Sequence, residues 1–248
     1  MNHISVVLIA ALATLIPTIS GHGMVVVPPN RSSRWRCNPS APTNWNDNEL
    51  WCGGLNVQWN QNGGRCGHCG DDFAHGMPRN NELGGIYGQG EIVANYTQGS
   101  EIQVDVRITQ NHLGYFEFNL CDLSRGSETA ECFERTPLLD CEGRRHWYLN
   151  STLNQVYKVC LKLPEDVVCE HCVIQWTYVT GNNWGICPDG TGAIGCGPQE
   201  HFRSCSDIGI YNAGDDRLSH SFNYCPDGPR TFDWIDGNLP EENFLEQK

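Results

Sequence analysis

The sequence is short of positive charge. Sixteen Lys and Arg residues stand against 29 Asp and Glu residues, which gives a formal net charge of −13. Nucleic acid and anionic membrane surfaces both bind proteins through a cationic face, so the composition argues against either partner. A neutral polymer such as a polysaccharide is compatible with it. We expect a monomer that binds neither nucleic acid nor membrane.

Long apolar runs are also scarce, and the main one lies at the N-terminus. Residues 6–16 are apolar except for one Thr, and the small residues Ser20 and Gly21 follow. A helix that spans a bilayer needs about 20 apolar residues, so this run is too short. A short apolar segment followed by small residues is typical of a secretory signal peptide. We expect residues 1–21 to be removed and the protein to be secreted and extracellular. Cleavage after Ser20 and a buried N-terminal helix are the alternatives.

Cysteine, by contrast, is abundant. All 14 Cys residues follow the apolar run, and an even number behind an export signal predicts up to seven disulfides. The 27 Gly and 13 Pro residues indicate many loops for these crosslinks to hold. Sequons for N-glycosylation at Asn30, Asn95 and Asn150 fit the same compartment, although sequons also arise by chance.

Alternation of apolar and polar residues begins after residue 90. A period of two marks half-buried strands, and several such strands separated by turns predict an all-β antiparallel sandwich. The predicted strands are 101–109, 115–120, 157–163, 172–179 and 206–211. Residues 30–90 show no sustained period and predict long loops, which contain Cys37, Cys52, Cys66 and Cys69. Residues 231–248 are acidic and free of Cys, so we expect a flexible tail there.

Cleavage after Gly21 would make His22 the first residue. An α-amine has a reference pKa near 7.7–8.0, so it loses its proton readily to a metal and can chelate together with the imidazole. A further imidazole would complete a set of three nitrogens that suits Cu(II). His112 lies between two predicted strands and is the best candidate. A leftover Gly21 would abolish the chelate, and a histidine in such a loop is more often a surface or hydrogen-bonded residue.

Other reactive patterns have less support. The motif C-G-H-C at 66–69 matches a redox dithiol but lacks the strand and helix that normally flank one. With the second C-x2-C pair, Cys169 and Cys172, it formally allows a zinc site, although export favours disulfides. No G-x-S-x-G elbow supports a serine hydrolase. The many acidic residues do not reveal which two would form a glycosidase pair.

Five short segments occur in order across residues 22–208. They are H-G-M at 22–24, W-C-G-G at 51–54, G-R-C-G-H-C-G-D at 64–71, N-H-L-G-Y-F at 111–116, and G-C-G-P-Q-E at 195–200 followed by F-R-S-C-S-D-I at 202–208. Through these segments the chain resembles lytic polysaccharide monooxygenases, most of all auxiliary-activity family fifteen. The resemblance implies an immunoglobulin- or fibronectin-III-like β-sandwich with long disulfide-stapled loops, forming a catalytic domain over residues 22–230.

The same resemblance implies a site that holds one copper ion. His22 would contribute its amine and imidazole, and His112 the second imidazole. Phe202 stands where the family has an aromatic residue near the copper axis, often Tyr; a core aromatic is the alternative. Gln110 replaces a usual Ala and either reaches the open face of the copper or points into solvent, which puts reactivity in question. Glu200, after Gln199, either supplies a hydrogen bond to oxygen bound there or is a solvated loop carboxylate.

The implied reaction is the oxidative cleavage of glycosidic bonds in insoluble chitin or cellulose. It would require an external electron donor and O2 or H2O2 as co-substrate. Loop aromatics could stack on sugar rings, and the candidates are Trp35, Trp45, Trp51 and Trp59. Two alternatives remain: a non-catalytic carbohydrate-binding or cuticle-type matrix protein, and a copper-binding protein that has the two-histidine site but no turnover.

Overall fold

A computed structural model describes residues 22–219. The strands are β1 (His22–Val27), β2 (Ala94–Thr97), β3 (Glu101–Gln110), β4 (Tyr115–Asp122), β5 (Pro137–Asp140), β6 (Trp147–Tyr148), β7 (Val156–Lys162), β8 (Cys169–Val179), β9 (Trp184–Ile186), β10 (Gly192–Ile194) and β11 (His201–Tyr211). The helical segments are α1 (Ala130–Arg135), α2 (Asp216–Ser219), 3-10 turns at Arg34–Arg36 and Leu123–Arg125, and a π-helical turn at Val57–Gln61. None of these helices has the length and apolar character that a membrane span requires. The predicted signal peptide and acidic tail lie outside the described residues.

The strands form two layers around one apolar core. One layer has the order β1-β3-β7-β5 and the other β4-β8-β11-β2, and β5 pairs with both β7 and β4. Apart from the parallel pair β2 and β11, the pairing is antiparallel. The core contains side chains of both layers, such as Val106 of β3 and Trp176 of β8. The predicted all-β, immunoglobulin-like sandwich is confirmed.

Burial explains why some strands were easier to predict than others. β3 and β7 alternate between buried and more exposed positions along most of their length, because their outer faces meet water. β8 and β11 are buried on both faces. Parts of residues 30–90 cover that outer surface: Cys69 is bonded to Cys205 of β11, and Gln175 of β8 donates to the His68 carbonyl. A strand covered on both sides loses its alternation, so the predicted strand 206–211 begins five residues later than β11.

Six disulfides crosslink the described residues. The pairs are Cys52–Cys66, Cys69–Cys205, Cys121–Cys132, Cys141–Cys160, Cys169–Cys172 and Cys187–Cys196. The cysteines of the C-G-H-C motif bond elsewhere rather than to each other, and Cys169 bonds to Cys172. These sulfurs are all oxidised, so neither the dithiol nor the four-cysteine zinc alternative is supported. Each crosslink typically contributes about 2–4 kcal/mol, mainly by restricting the unfolded chain.

Candidate metal centre

His22 and His112 come together at one edge of the sandwich. β1 pairs with β3 so that His22 lies opposite Gln110, with a register shift after His22. His112 is two residues beyond Gln110, in the turn that leads to β4. Burial and the charge of nearby His22 lower the pKa of His112. The second ring is therefore held in the neutral form, which is the form that binds a metal.

The turn before His112 is held by one side chain. The Asn111 carboxamide donates from Nδ2 to the carbonyl oxygens of Ser151 and Leu153, at 3.1 and 3.0 Å. The same nitrogen lies 2.7 Å from the Tyr157 hydroxyl. Asn111 Oδ1 accepts from the Leu113 amide at 2.8 Å. These bonds tie the turn to the segment between β6 and β7 and restrict how far His112 can move.

The turn after His112 depends on a glycine. Gly114 has φ +85°, and a Cβ on it would lie 2.0 Å from the Val179 carbonyl oxygen. Only glycine allows both this left-handed conformation and so close an approach. The His112 amide donates to the Tyr178 hydroxyl at 2.9 Å, and the His112 carbonyl accepts from Gly181 at 2.9 Å. The backbone of His112 is thus fixed against β8 and the loop that follows it.

Each imidazole uses a different ring nitrogen for its protein hydrogen bond. His22 Nε2 lies 2.5 Å from Glu49 Oε1. The carboxylate accepts, so the hydrogen is on Nε2 and Nδ1 keeps its lone pair. His112 Nδ1 lies 2.8 Å from Asn182 Nδ2. A half-turn of that amide presents Oδ1, which accepts from Nδ1–H and leaves the lone pair of His112 on Nε2.

Phe202 lies beside the histidines and also belongs to the core. Its ring centroid is 6.5 Å from that of His22 and 5.9 Å from that of Tyr178, on which it stacks. It is fully buried. The two interpretations of Phe202 are therefore compatible, since one ring both packs in the core and borders His22. His201 has the opposite orientation, with Nδ1 2.9 Å from Gln58 Nε2 and an edge contact to Trp59.

The remaining predicted site residues differ in their surroundings. The half-buried Gln110 lies opposite His22, and its carboxamide has no hydrogen-bond partner within residues 22–219.

Glu200 is buried, so the interpretation as a solvated loop carboxylate is wrong. Burial raises the pKa of Tyr178, and the nearby Glu200 carboxylate adds to this shift. Gln199 is committed to its own loop through Asn183 and neighbouring carbonyls.

The four tryptophans of the long loops separate into two groups. Three have structural contacts: Trp35 Nε1 donates to Asp47, Trp51 packs against the core, and Trp59 Nε1 donates to the Gln199 carbonyl. Trp45 has an edge contact with Trp35 but is largely exposed. Of these four, Trp45 is the one whose side chain is exposed.

Several residues at or near this edge carry no signal in the sequence. Glu49 and Asn182 are far in sequence from the histidines that they contact, and neither belongs to a recognisable motif. Trp184 follows two residues after Asn182 and pairs across the β9–β10 hairpin with Ile194. Both side chains are exposed, as is Ile186. Strands of three residues are too short to show a period, and only the pairing reveals this apolar face.

Comparisons with known proteins identify the family that the chain is similar to. A family model described as lytic polysaccharide mono-oxygenase, cellulose-degrading, matches residues 22–208. The chain is also similar to the solved lytic polysaccharide monooxygenase AA15 from Thermobia domestica in the Cu(I) state. The identity is 48% and the TM-score 0.74, over 76% of this chain and 98% of that chain. An AA10 lytic polysaccharide monooxygenase from Streptomyces lividans aligns over 76% of this chain and 99% of that chain, with 12% identity and a TM-score of 0.48.

No curated protein matches the chain. The family model nevertheless covers both histidines and the aromatic residue beside them, and the Thermobia structure is similar over nearly its whole length. The chain belongs to the family of lytic polysaccharide monooxygenases.

Proposed function

We propose that this chain is a secreted, copper-dependent monooxygenase that cleaves glycosidic bonds in chitin or cellulose, with His22 as the first residue of the processed protein. The observation that carries the proposal is the hydrogen bonding of the two rings. Glu49 occupies Nε2 of His22 and Asn182 occupies Nδ1 of His112. Each ring therefore keeps one nitrogen for a shared ion.

The donors fit copper. Processing before His22 would free its α-amine next to its Nδ1, and Nε2 of His112 would add a third nitrogen. Nitrogen ligands in a tetragonal arrangement suit Cu(II). When bound, copper would supply the one-electron chemistry by which O2 or H2O2, with an external electron donor, oxidises a C–H bond next to the glycosidic oxygen. The similarity to a relative solved in the Cu(I) state supports this choice of metal.

The other residues of the site position the rings and exclude water. Glu49 and Asn182 orient the two imidazoles, as hydrogen-bond partners of metal ligands commonly do. Tyr178 accepts from the His112 amide and so fixes the turn that presents this ring. Phe202 is fully buried beside His22 and closes that side to solvent with an apolar ring that offers no ligand atom.

Gln110 supports a second candidate, a copper-binding protein without turnover. Gln110 is directly across the strand pair from His22, and its carboxamide is not bonded to any of residues 22–219. An amide in this position can bond to a small molecule at the site or obstruct it. Gln110→Ala separates the two roles: faster product formation would indicate obstruction, and slower formation would indicate a useful hydrogen bond.

The exposed surface suits a neutral, insoluble polymer. Trp184 and Ile194 pair across the β9–β10 hairpin and are both exposed, and Trp184 is close in sequence to Asn182, which contacts His112. Aromatic and aliphatic faces stack on the apolar faces of sugar rings. Because a sugar ring is neutral, the net charge of −13 does not oppose this contact. We therefore place the polysaccharide over this edge of the sandwich.

Product analysis tests the proposal. Protein that begins at His22 is loaded with copper and incubated with reductant and peroxide on chitin and on cellulose, and soluble products are analysed by mass spectrometry. We expect oxidised oligosaccharides from at least one substrate. His112→Ala should lose copper and products together. His146→Ala should keep both, because His146 is paired with Glu117 and not with the two ligand rings.

Three outcomes would contradict the proposal in different ways. Turnover by His112→Ala would refute the ligand assignment. Tight copper binding without oxidised products on either substrate would favour the non-catalytic copper protein. A secreted chain that begins at Gly21 or earlier, and that binds polysaccharide without copper, would favour a carbohydrate-binding matrix protein.

A further inference from the structure

The three sequons differ sharply in their surroundings. Asn30 is completely buried. Its Nδ2 donates to the Val25 carbonyl at 3.0 Å, and its Oδ1 accepts from the amides of Ser32 and Ser33 at 2.8 and 3.0 Å. A glycan on Nδ2 would remove a buried hydrogen bond and would have no path to solvent. The folded protein therefore cannot accommodate a glycan at Asn30.

Asn95 is held against the sheet. It lies in β2, which pairs in parallel with β11, and its Nδ2 donates to the Arg217 carbonyl at 3.0 Å. Its Oδ1 is buried, and a Cβ on Gly209 would lie only 2.6 Å from that oxygen. The carboxamide is thus enclosed between β11 and the start of α2. A glycan there would have to displace these contacts.

Asn150 has neither restriction. It is exposed in the irregular segment between β6 and β7, and its carboxamide bonds to no residue of the range 22–219. Thr152, which completes the sequon, is exposed as well. We propose that Asn150 carries an N-linked glycan. The modification rests on the export that the proposed function includes, because glycans of this kind are added in the secretory pathway.

The transfer is chemically simple. A bond forms between Asn150 Nδ2 and the anomeric carbon of an oligosaccharide carried on a polyprenyl pyrophosphate. The bond between that carbon and the phosphate oxygen breaks. The lipid pyrophosphate leaves, and one amide proton passes to the solvent. No oxidation or reduction takes place, and the amide keeps one hydrogen.

The attachment point adjoins the metal centre. The Leu149 amide donates to the Gly114 carbonyl at 3.0 Å, and the Ser151 carbonyl accepts from Asn111. The residues on both sides of Asn150 are therefore hydrogen-bonded to the turn that carries His112. Leu149 is buried and anchors the segment, while Asn150 points to solvent. A glycan here would stand at the rim of the surface that carries the two histidines.

Site mapping in secreted protein tests the proposal. The full chain is expressed in insect cells, collected from the medium and treated with peptide-N-glycosidase in heavy-oxygen water, which converts each glycosylated Asn to labelled Asp. We expect label at Asn150 and none at Asn30. Thr152→Ala should abolish the label at Asn150, and Thr152→Ser should retain it. An unlabelled Asn150 in secreted wild-type protein, or label that persists in Thr152→Ala, would overturn the proposal.

Copper affinity measured on the same preparations separates this inference from the proposed function. A labelled Asn150 in a protein that does not bind copper would support the glycan and refute the copper enzyme. Copper binding with an unlabelled Asn150 would support the copper site and refute the glycan. Label at Asn30 would overturn the use of burial to rank the three sequons. A chain that stays inside the cells would overturn the export on which the modification depends.

Discussion

Glu49 offers a sharp test of how the proposed metal centre is held. Its Oε1 accepts from His22 Nε2 at 2.5 Å, and the side chains of His22 and Glu49 are 23% and 38% exposed. Without the carboxylate, the ring is free to turn and to take the tautomer that puts hydrogen on Nδ1. Loss of such a partner typically lowers metal affinity by about 10–100-fold. Because both side chains reach water, which partly replaces the lost bond, we expect the lower end of this range.

Glu49→Ala should therefore weaken Cu(II) binding by about tenfold, or ~1.4 kcal/mol. Glu49→Gln keeps an oxygen that accepts from Nε2–H but loses the charge. A charge-assisted hydrogen bond is about twice as strong as a neutral one, so this variant should lose roughly half as much free energy. The graded order of wild type, Gln and Ala is the specific expectation of an orienting hydrogen bond.

Competition calorimetry with Cu(II), on protein that begins at His22, measures the effect. Glu117→Gln is a matched control, because Glu117 accepts from His146 Nε2 at 2.8 Å and the two side chains are 24% and 38% exposed. It should leave copper affinity unchanged. Melting of the metal-free proteins shows whether each variant folds. Unchanged affinity in a folded Glu49→Ala protein, or an equal loss in Glu117→Gln, would refute the orienting role.

Three further predictions concern the stability of the folded chain. Burial, with the charge of Arg203, lowers the pKa of His201 from 6.5 to about 4. The unfolded chain therefore binds this proton first as the pH falls. Relative to His201→Gln, the wild type should lose up to ~3 kcal/mol of unfolding free energy between pH 6.5 and 4 in urea titrations; parallel pH profiles would contradict this. Gly114→Ala should lower the free energy of unfolding by about 1–3 kcal/mol or more and lower the melting temperature. The reason is that an alanine there would adopt a left-handed φ and its Cβ would clash with the Val179 carbonyl oxygen. Arg31→Met should cost about 3–5 kcal/mol in the same titrations, because it removes the cation that pairs with the buried carboxylates of Glu128 and Asp207 and leaves Asp207 with His171 alone; a loss below ~1 kcal/mol would contradict it.

The charge pair of Arg31 also has a pH signature of its own. Burial alone would raise the pKa of Asp207, but hydrogen bonds from Arg31 and His171 hold it below its ordinary value. A carboxylate with a depressed pKa contributes stability above its unfolded pKa and loses this contribution as the pH falls through the folded pKa. Arg31→Met should therefore remove part of the acid sensitivity of the wild type.

Local patterns were sufficient for the strands that face water on one side. The alternation in 101–109 and 157–163 predicted β3 and β7 because the outward residues, apart from Cys160 in β7, are polar where they meet solvent. The histidines could also be named from the chain, since one follows the apolar N-terminal run and the other lies between two strands. The cysteine count predicted a crosslinked protein without indicating which cysteines pair.

Long-range packing decided the rest, because it depends on residues that are distant in sequence. Residues 30–90 cover β8 and β11, which hid the true start of β11 and placed Cys69 on Cys205 across 136 residues. Glu49 and Asn182 reach the histidines from loops with no period and no motif. The three sequons have the same pattern, and only burial and hydrogen bonding distinguish Asn150 from Asn30. A short motif specifies residue types only. The exposure of each residue and its hydrogen-bond partners depend on how distant parts of the chain pack around it.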